Sequence, residues 1–343
     1  MIEFCFKKPI NINMDVIEYQ PIDLEILRID TILGIDLYIK APQEYVLYRS
    51  RKIPFNEKVR QNLLTHGVEY LYIPSTESSK FTNYIESNLG SIISDPGVKI
   101  ETKRRILYES SLRIARDLIQ QPTSIESVKR SSKVVENMVD LHLKDEGGFK
   151  KLIELMPQDY SIVSHSSNVA TYSVAIGKSL GIFNRNELYE LGLGAFLHDI
   201  GKSKIPKDIL NKPGSLNDEE FAKVKEHVML GYNMAIRIPI IPKQSILPIL
   251  LHHERLTGNG YPSGKEKNEI SILGLITAVA DSFDAMTTNR VYQNAKSTYK
   301  VLKELLNDNG NYDQRVVLEM TKLLGPDLET RDMQFNKEII TAI

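Results

Sequence analysis

Five of the chain's seven histidines fall between residues 165 and 253, and each stands on or at the end of an apolar, helix-like run. His165 opens HSSNVATYSVAIGKSL. His198 and Asp199 end ELYELGLGAFLHDIGK, in which Leu188, Leu191, Ala195 and Phe196 fall at inward positions of a helix. His227 sits in EEFAKVKEHVMLGYNMA, predicted as one helix with Phe221, Val224, Val228 and Gly231 along one face. His252 and His253 close ILPILLHHER, and Asp281 lies inside the apolar ISILGLITAVADSFDAM. Side chains so placed point into the interior of a helical bundle, where an unpaired charge is expensive. Metal ions would neutralise an aspartate buried among histidines. Imidazole and carboxylate donors without thiolate suit iron, manganese or zinc and do not choose among them. A shared carboxylate could bridge two ions ~3.5–4 Å apart, the arrangement used for in-line displacement at phosphorus. His66, beside an expected helix end, and His142, among charged neighbours, fit ordinary structural roles.

The rest of the chain frames that cluster. A length of 343 residues allows two cores. Residues 1–76 read as a small α/β regulatory domain. In it DLYIK and EYVLYRS form a hairpin around Ala-Pro-Gln, a helix spans 56–65, and VEYLYI returns as a strand. Residues 77–147 read as a helical linker, with helices over 81–89, 99–120 and 125–143 and breaks at Asp95-Pro96-Gly97 and Gln121-Pro122. Ile100, Leu107, Ile114 and Leu118 recur near heptad spacing. The 99–120 helix is therefore expected either to pair with a second copy as a homodimer stalk or to pack within its own chain. Residues 148–325 form the histidine-bearing domain and 326–343 a tail. The fold class is mainly α.

Composition narrows the function. A net charge of -1 speaks against a nucleic-acid polymer as partner and against a polybasic membrane anchor, but leaves room for a small anionic ligand in a local basic pocket. The single Cys5 excludes a disulfide framework and any multi-cysteine zinc site. The runs IPIIPKQSILPILL and ISILGLITAVA fall short of the ~20 apolar residues of a membrane span. No leader pattern is visible, and the expected location is the cytoplasm.

HDIGK (198–202), IPKDILNKPGSL (205–216), KEHVMLG (225–231), HHERLTGNGYP (252–262) and AVADSFDAM (278–286) together resemble the HD-GYP phosphodiesterases, in that order, over residues 158–293. Residues 1–76 are similar to a small domain often found ahead of such domains. The resemblance implies an all-helical HD bundle that hydrolyses cyclic di-GMP to pGpG, and on to GMP, by attack of a metal-bridging hydroxide on phosphorus. It implies two divalent metal ions, iron or alternatively manganese. One would be held by His165, His198, Asp199 and Asp281, the other by Asp199, His227, His252 and His253, with Asp199 bridging. It assigns Lys202 to a phosphate oxygen. It assigns Gly260, Tyr261 and Pro262 to a loop for substrate and signalling-protein contacts, and Arg290 to the substrate phosphate or guanine.

The departures are specific. Ser161 stands where family members with a third metal carry Glu, so two ions are expected, with Asp159 or a water as the substitute donor otherwise. Leu256-Thr257 replaces a common Trp-Asp, and the Arg-Pro-Tyr-basic run reads Arg290-Val291-Tyr292-Gln293. These changes leave two alternatives open beside hydrolysis of cyclic di-GMP. One is a sensor or adaptor that binds the nucleotide with little turnover. The other is an HD hydrolase for another nucleotide.

Overall fold

The computed structural model describes residues 17–145, 147–157, 161–181, 184–289, 294–308 and 310–325. Chain contacts divide it into two compact units, Met1–Val98 and Lys99–Ile343. The first unit contains strands β1 (Tyr19–Asp23), β2 (Leu37–Lys40), β3 (Tyr45–Arg49) and β4 (Tyr70–Pro74), with helices α1 (Glu57–Thr65) and α2 (Ser78–Ser94). Its antiparallel sheet runs β1-β4-β2-β3. The alternation of β4 explains its two faces: Leu71 and Ile73 are fully buried, while Tyr72 joins Tyr45, Tyr19 and Tyr38 in a chain of ring contacts at 4.2–5.1 Å. The expected hairpin is β2–β3. Strand β1 has no counterpart among the elements expected from sequence, because Pro21 lowers its strand signal; at the sheet edge the missing donor is tolerated.

The second unit is helical: α3 (Ile100–Gln120), α4 (Ile125–Lys144), α5 (Phe149–Ile153), α6 (Ile162–Leu180), α7 (Arg185–Leu197), α8 (Lys207–Leu210), α9 (Asp218–Lys225), α10 (His227–Ala235), α11 (Ile246–Leu251), α12 (Ile272–Thr287), α13 (Thr298–Asn307) and α14 (Gln314–Leu324). Helix α6 is its axis, packed against α3, α4, α7, α12 and α14 and buried from Ser164 to Gly177. Its many small polar residues let neighbours approach closely while their hydroxyls find partners, as where Ser167 meets Ser111 of α3 at 2.5 Å and Thr171 Oγ1 donates to the Ser167 carbonyl. A side chain on Gly194 of α7 would collide with Ser245 and Pro248, so its absence lets the chain entering α11 lie flat on α7.

Of the four near-heptad positions in α3, Leu107, Ile114 and Leu118 are buried against the helices of their own chain, chiefly α4 and α6. Among the described residues no helix is long and apolar enough to cross a membrane. Cys5, Asp159, the Arg290–Gln293 segment and the 326–343 tail lie outside the described residues.

Replacing Leu107, 2% exposed, with alanine is expected to destabilise the second unit by about 2–5 kcal/mol. Denaturant unfolding at several protein concentrations checks this. A midpoint shift independent of concentration fits packing within the chain, whereas one that grows on dilution would point to a partner helix.

Candidate metal centre

The histidines reach their positions through a repeated local device. At the end of α7, His198 Nδ1 donates to the Ala195 carbonyl at 2.7 Å. His252, at the end of α11, donates to the carbonyls of Pro248 and Ile249 at 3.0 Å. His227 Nδ1 takes the Val224 carbonyl at 2.7 Å. The single helix expected over 219–235 is instead broken at Glu226 into α9 and α10. The ring occupies a carbonyl that the next helical turn would otherwise use. A carbonyl oxygen only accepts, so each Nδ1 is the donor; on a neutral ring Nε2 then carries a lone pair aimed away from its own helix.

Those lone pairs converge on Asp199. Around its Oδ2, His198 Nε2 lies at 3.3 Å and His165 Nε2 at 3.5 Å, and His165 Nε2 is also 3.0 Å from Asp281 Oδ1. Around its Oδ1, His227 Nε2 lies at 3.3 Å and His252 Nε2 at 3.9 Å. His253 Nδ1 is 3.9 Å from Asp281 Oδ2. The seven residues singled out in the sequence thus meet in one place. Six of them form two donor groups, His165–His198–Asp199 and His227–His252–His253, the rings of the first near Asp199 Oδ2 and His227 and His252 of the second near its Oδ1, while Asp281 contacts a histidine of each.

Acceptors face acceptors here: His198 and His165 present Nε2 atoms 3.3 Å apart, and so do His227 and His252. Asp199 Oδ1 is buried and makes no hydrogen bond. Burial drives the His252 and His253 imidazoles well below their ordinary range and His227 down to about 4, so these rings are neutral at pH 7. Burial also pushes Asp199 towards its neutral form, but Lys202, whose Nζ is 2.5 Å from Oδ2, and the adjoining His198 hold the carboxyl well below the usual range. Asp281 is likewise held well below the usual range against burial, chiefly through its contact with His165 at 3.0 Å. Neutral imidazoles and ionised carboxylates are the ligand forms of these groups. This donor set fits divalent metal ions.

The structure adds residues that sequence patterning did not single out. His165 Nδ1 donates to Asp284 Oδ2 at 2.7 Å. Asn168 Nδ2 donates to the other Asp284 oxygen at 2.8 Å, and the Tyr108 hydroxyl donates to Asn168 Oδ1 at 2.7 Å. This buried chain fixes the His165 tautomer and orientation. Asp284 had a legible signal, since it lies three residues after Asp281 on the same face of an apolar helix. Asn168 and Tyr108 had none.

Two further contacts shape the site. Gly201 lies so close to α10 that a Cβ there would overlap the His227 carbonyl. Glu254, 1% exposed, accepts from the backbone of Ser263 and Lys265 at 2.8 and 2.9 Å, and Gly260 lies against the backbone of Glu254 and Arg255. The loop so clamped stacks the Tyr261 ring on His253, centroids 4.5 Å apart, and burial pushes the Tyr261 phenol up, keeping its hydroxyl protonated. A cleft of about 410 Å3 opens beside Tyr261 and Pro262, walled also by Lys225, Met229 and Asn233. Ser161 caps α6 in a reciprocal pair with Ser164. Arg290 lies outside the described residues.

Comparison with known proteins matches a family profile described as HD domain to residues 133–316. The chain is 32% identical over 195 residues to a cyclic di-GMP phosphodiesterase of Pseudomonas aeruginosa, covering 57% of this chain and 47% of that one. It is 40% identical over 186 residues to a cyclic di-GMP phosphodiesterase of Thermotoga maritima, covering 53% and 46%. The match thus spans about half the length of these curated relatives. In fold, the chain is similar to Bd1817, a HDG"Y"P protein of Bdellovibrio bacteriovorus, with a TM-score of 0.63 and 23% identity over 90% of this chain and 99% of that one.

Asp284→Ala is expected to lower metal affinity about 10–100-fold, by freeing His165 from its acceptor; titration of metal-free protein with manganese measures it. Acid is expected to destabilise the metal-free protein. Unfolded His227 binds a proton near its ordinary pKa of 6.5 while the folded residue resists until about 4, so the unfolded state gains as pH falls across that window. Thermal midpoints taken from pH 7 to 4 should fall, and His227→Gln should flatten part of the slope.

Proposed function

The chain belongs to the HD domain family, and from that premise we propose that it is a metal-dependent phosphodiesterase that cleaves cyclic di-GMP to pGpG and, in a second round, to GMP. The observation that carries this reading is the Asp199 carboxylate lying between two groups of outward-facing histidine lone pairs, where buried acceptor faces buried acceptor. In this reading one ion is held by His165, His198, Asp199 and Asp281 and the other by Asp199, His227, His252 and His253, with iron the preferred metal and manganese the alternative. Bound cations would supply a water acid enough to ionise at neutral pH and positive charge beside the phosphoryl oxygens. The Ser161 hydroxyl, engaged at the start of α6, is no substitute for a carboxylate, which supports two ions rather than three.

The remaining roles fall to the chain's own side chains. Lys202 sits on Asp199 and is suited to transfer its ammonium to a substrate phosphate oxygen. Tyr261, stacked on His253 and flanked by Gly260 and Pro262, offers a ring and a protonated hydroxyl at the edge of the cleft, where a guanine or ribose can dock. Lys225, with its ammonium 6.0 Å from the Tyr261 ring centroid, adds a second cation there. Arg290 is assigned to the substrate phosphate or guanine, and the loop at Gly258–Pro262 to contacts with signalling proteins.

The catalytic part comprises residues 148–325 with α3 and α4 packed on it. Residues 1–76 serve as the regulatory domain, 77–147 as the helical connection, and 326–343 as the tail. A homodimer formed through 99–120 would use the outer side of α3, which carries Arg105 and Glu109. A cytoplasmic location fits a nucleotide substrate and a chain with one cysteine.

Protein purified without oxygen and supplied with iron or manganese is expected to hydrolyse cyclic di-GMP. A His198→Ala/Asp199→Ala double variant is expected to lose both bound metal and turnover. Lys202→Ala is expected to keep the metal and lose about 10–100-fold in kcat, the scale of one charged transition-state contact. Tight binding of cyclic di-GMP by metal-loaded protein without turnover would favour a sensor. Turnover confined to another nucleotide would favour an HD hydrolase of different specificity.

A further inference from the structure

We propose that the second unit holds a separate binding site for a small anion with an apolar body, in a cavity walled by α4, α5, α6 and α14. The cavity has a volume of about 520 Å3, the size of a small-molecule pocket and far larger than a packing void. It is remote from the metal centre. Its Lys178 stands thirteen residues along α6 from His165, about 20 Å at 1.5 Å per residue.

The lining states the chemistry of the ligand. Leu141, Phe149, Leu152 and Ala175 give an apolar floor, all of it buried. Among the described residues, four basic side chains, Arg104, Lys150, Lys178 and Lys322, stand in the wall beside the carboxylate of Asp145. Arg104 and Asp145 neutralise each other in a two-bond pair at 2.7 and 2.8 Å, and Glu319 offsets Lys322, so Lys150 and Lys178 are the ammonium groups that an anion in the cavity would meet. Lys178 donates to the His142 carbonyl, and Lys322 pairs with Glu319 at the exposed rim. An ammonium keeps further donors beyond one such contact. His142, in the same wall, donates from Nδ1 to the Met138 carbonyl, and its buried Nε2 has no hydrogen-bond partner. Nε2 is therefore an acceptor for an O–H or N–H carried on the ligand's apolar body. An apolar floor, a cationic edge and one buried acceptor together fit a flat ring system bearing a phosphate, sulfonate or carboxylate.

The probe is 8-anilinonaphthalene-1-sulfonate, an aromatic anion of that class. The chain contains no tryptophan, so Ser179→Trp at the rim gives a single tryptophan donor, excited selectively at the red edge where the tyrosines do not absorb. The expected result is saturable one-to-one binding with energy transfer from that tryptophan. Lys150→Gln/Lys178→Gln should weaken binding at least 10-fold while leaving the unfolding midpoint in place, and Ala175→Phe should abolish it by filling the floor. Should Ala175→Phe not fold, the lysine variants and the energy transfer still decide. Binding that is unsaturable, that shows no energy transfer, that ignores the loss of both lysines, or that disappears in Phe221→Ser on α9 would overturn the proposal.

Discussion

The second unit depends on keeping the carboxylate of Asp199 ionised out of water. Removing such a group from solvent costs several kcal/mol even after relaxation, and this one is 3% exposed. Histidines that crowd it do not help by themselves, because burial strips His227, His252 and His253 of their protons. In the protein alone the compensating charge comes chiefly from Lys202. The rest of the architecture follows from that demand. Helices α7 and α11 end where their histidines must turn, α9 gives way to α10 at His227, and a buried chain from Tyr108 through Asn168 and Asp284 holds His165 in register.

Much of this was legible in the sequence, for a physical reason. An apolar helix gains nothing in packing from a histidine or aspartate at its buried end, so the recurrence of such residues along the chain already implied that they meet. The fold class and the hairpin of the first unit followed from periodicity. Some features could not be read. Pro21 hid strand β1, because an edge position that excuses a missing donor is a property of the sheet, not of the segment. The break at Glu226 was hidden because both sides of it have helical spacing; it comes from a side chain taking a backbone acceptor. The spacing in α3 could not separate a stalk from a core helix, since a buried face looks alike whichever chain covers it. Asn168 and Tyr108 read as ordinary helix residues until the tertiary hydrogen bonds appear.

The two polar regions of the second unit are built by opposite means. At the metal centre the polar atoms are mostly acceptors held inward by backbone bonds, with the Lys202 ammonium set against them. In the cavity near Lys178 the polar atoms are mostly donors on flexible stems around an apolar floor. The first arrangement selects cations by geometry. The second tolerates a range of anions, because lysine heads can follow the ligand. Helix α6 carries His165 at one end and Lys178 near the other, so one rigid element serves both.

Gly201 carries a consequence for how this site can change over time. Its backbone and that of α10 touch where any side chain would intrude. The spacing between the two histidine groups is therefore set by main chain against main chain and not by rotamers. A ruler made this way is indifferent to the identity of the residues that line the cleft. Substitutions such as those at Leu256 and Thr257 can re-tailor what enters without disturbing the gauge beneath. Chemistry and selectivity are thereby free to drift apart.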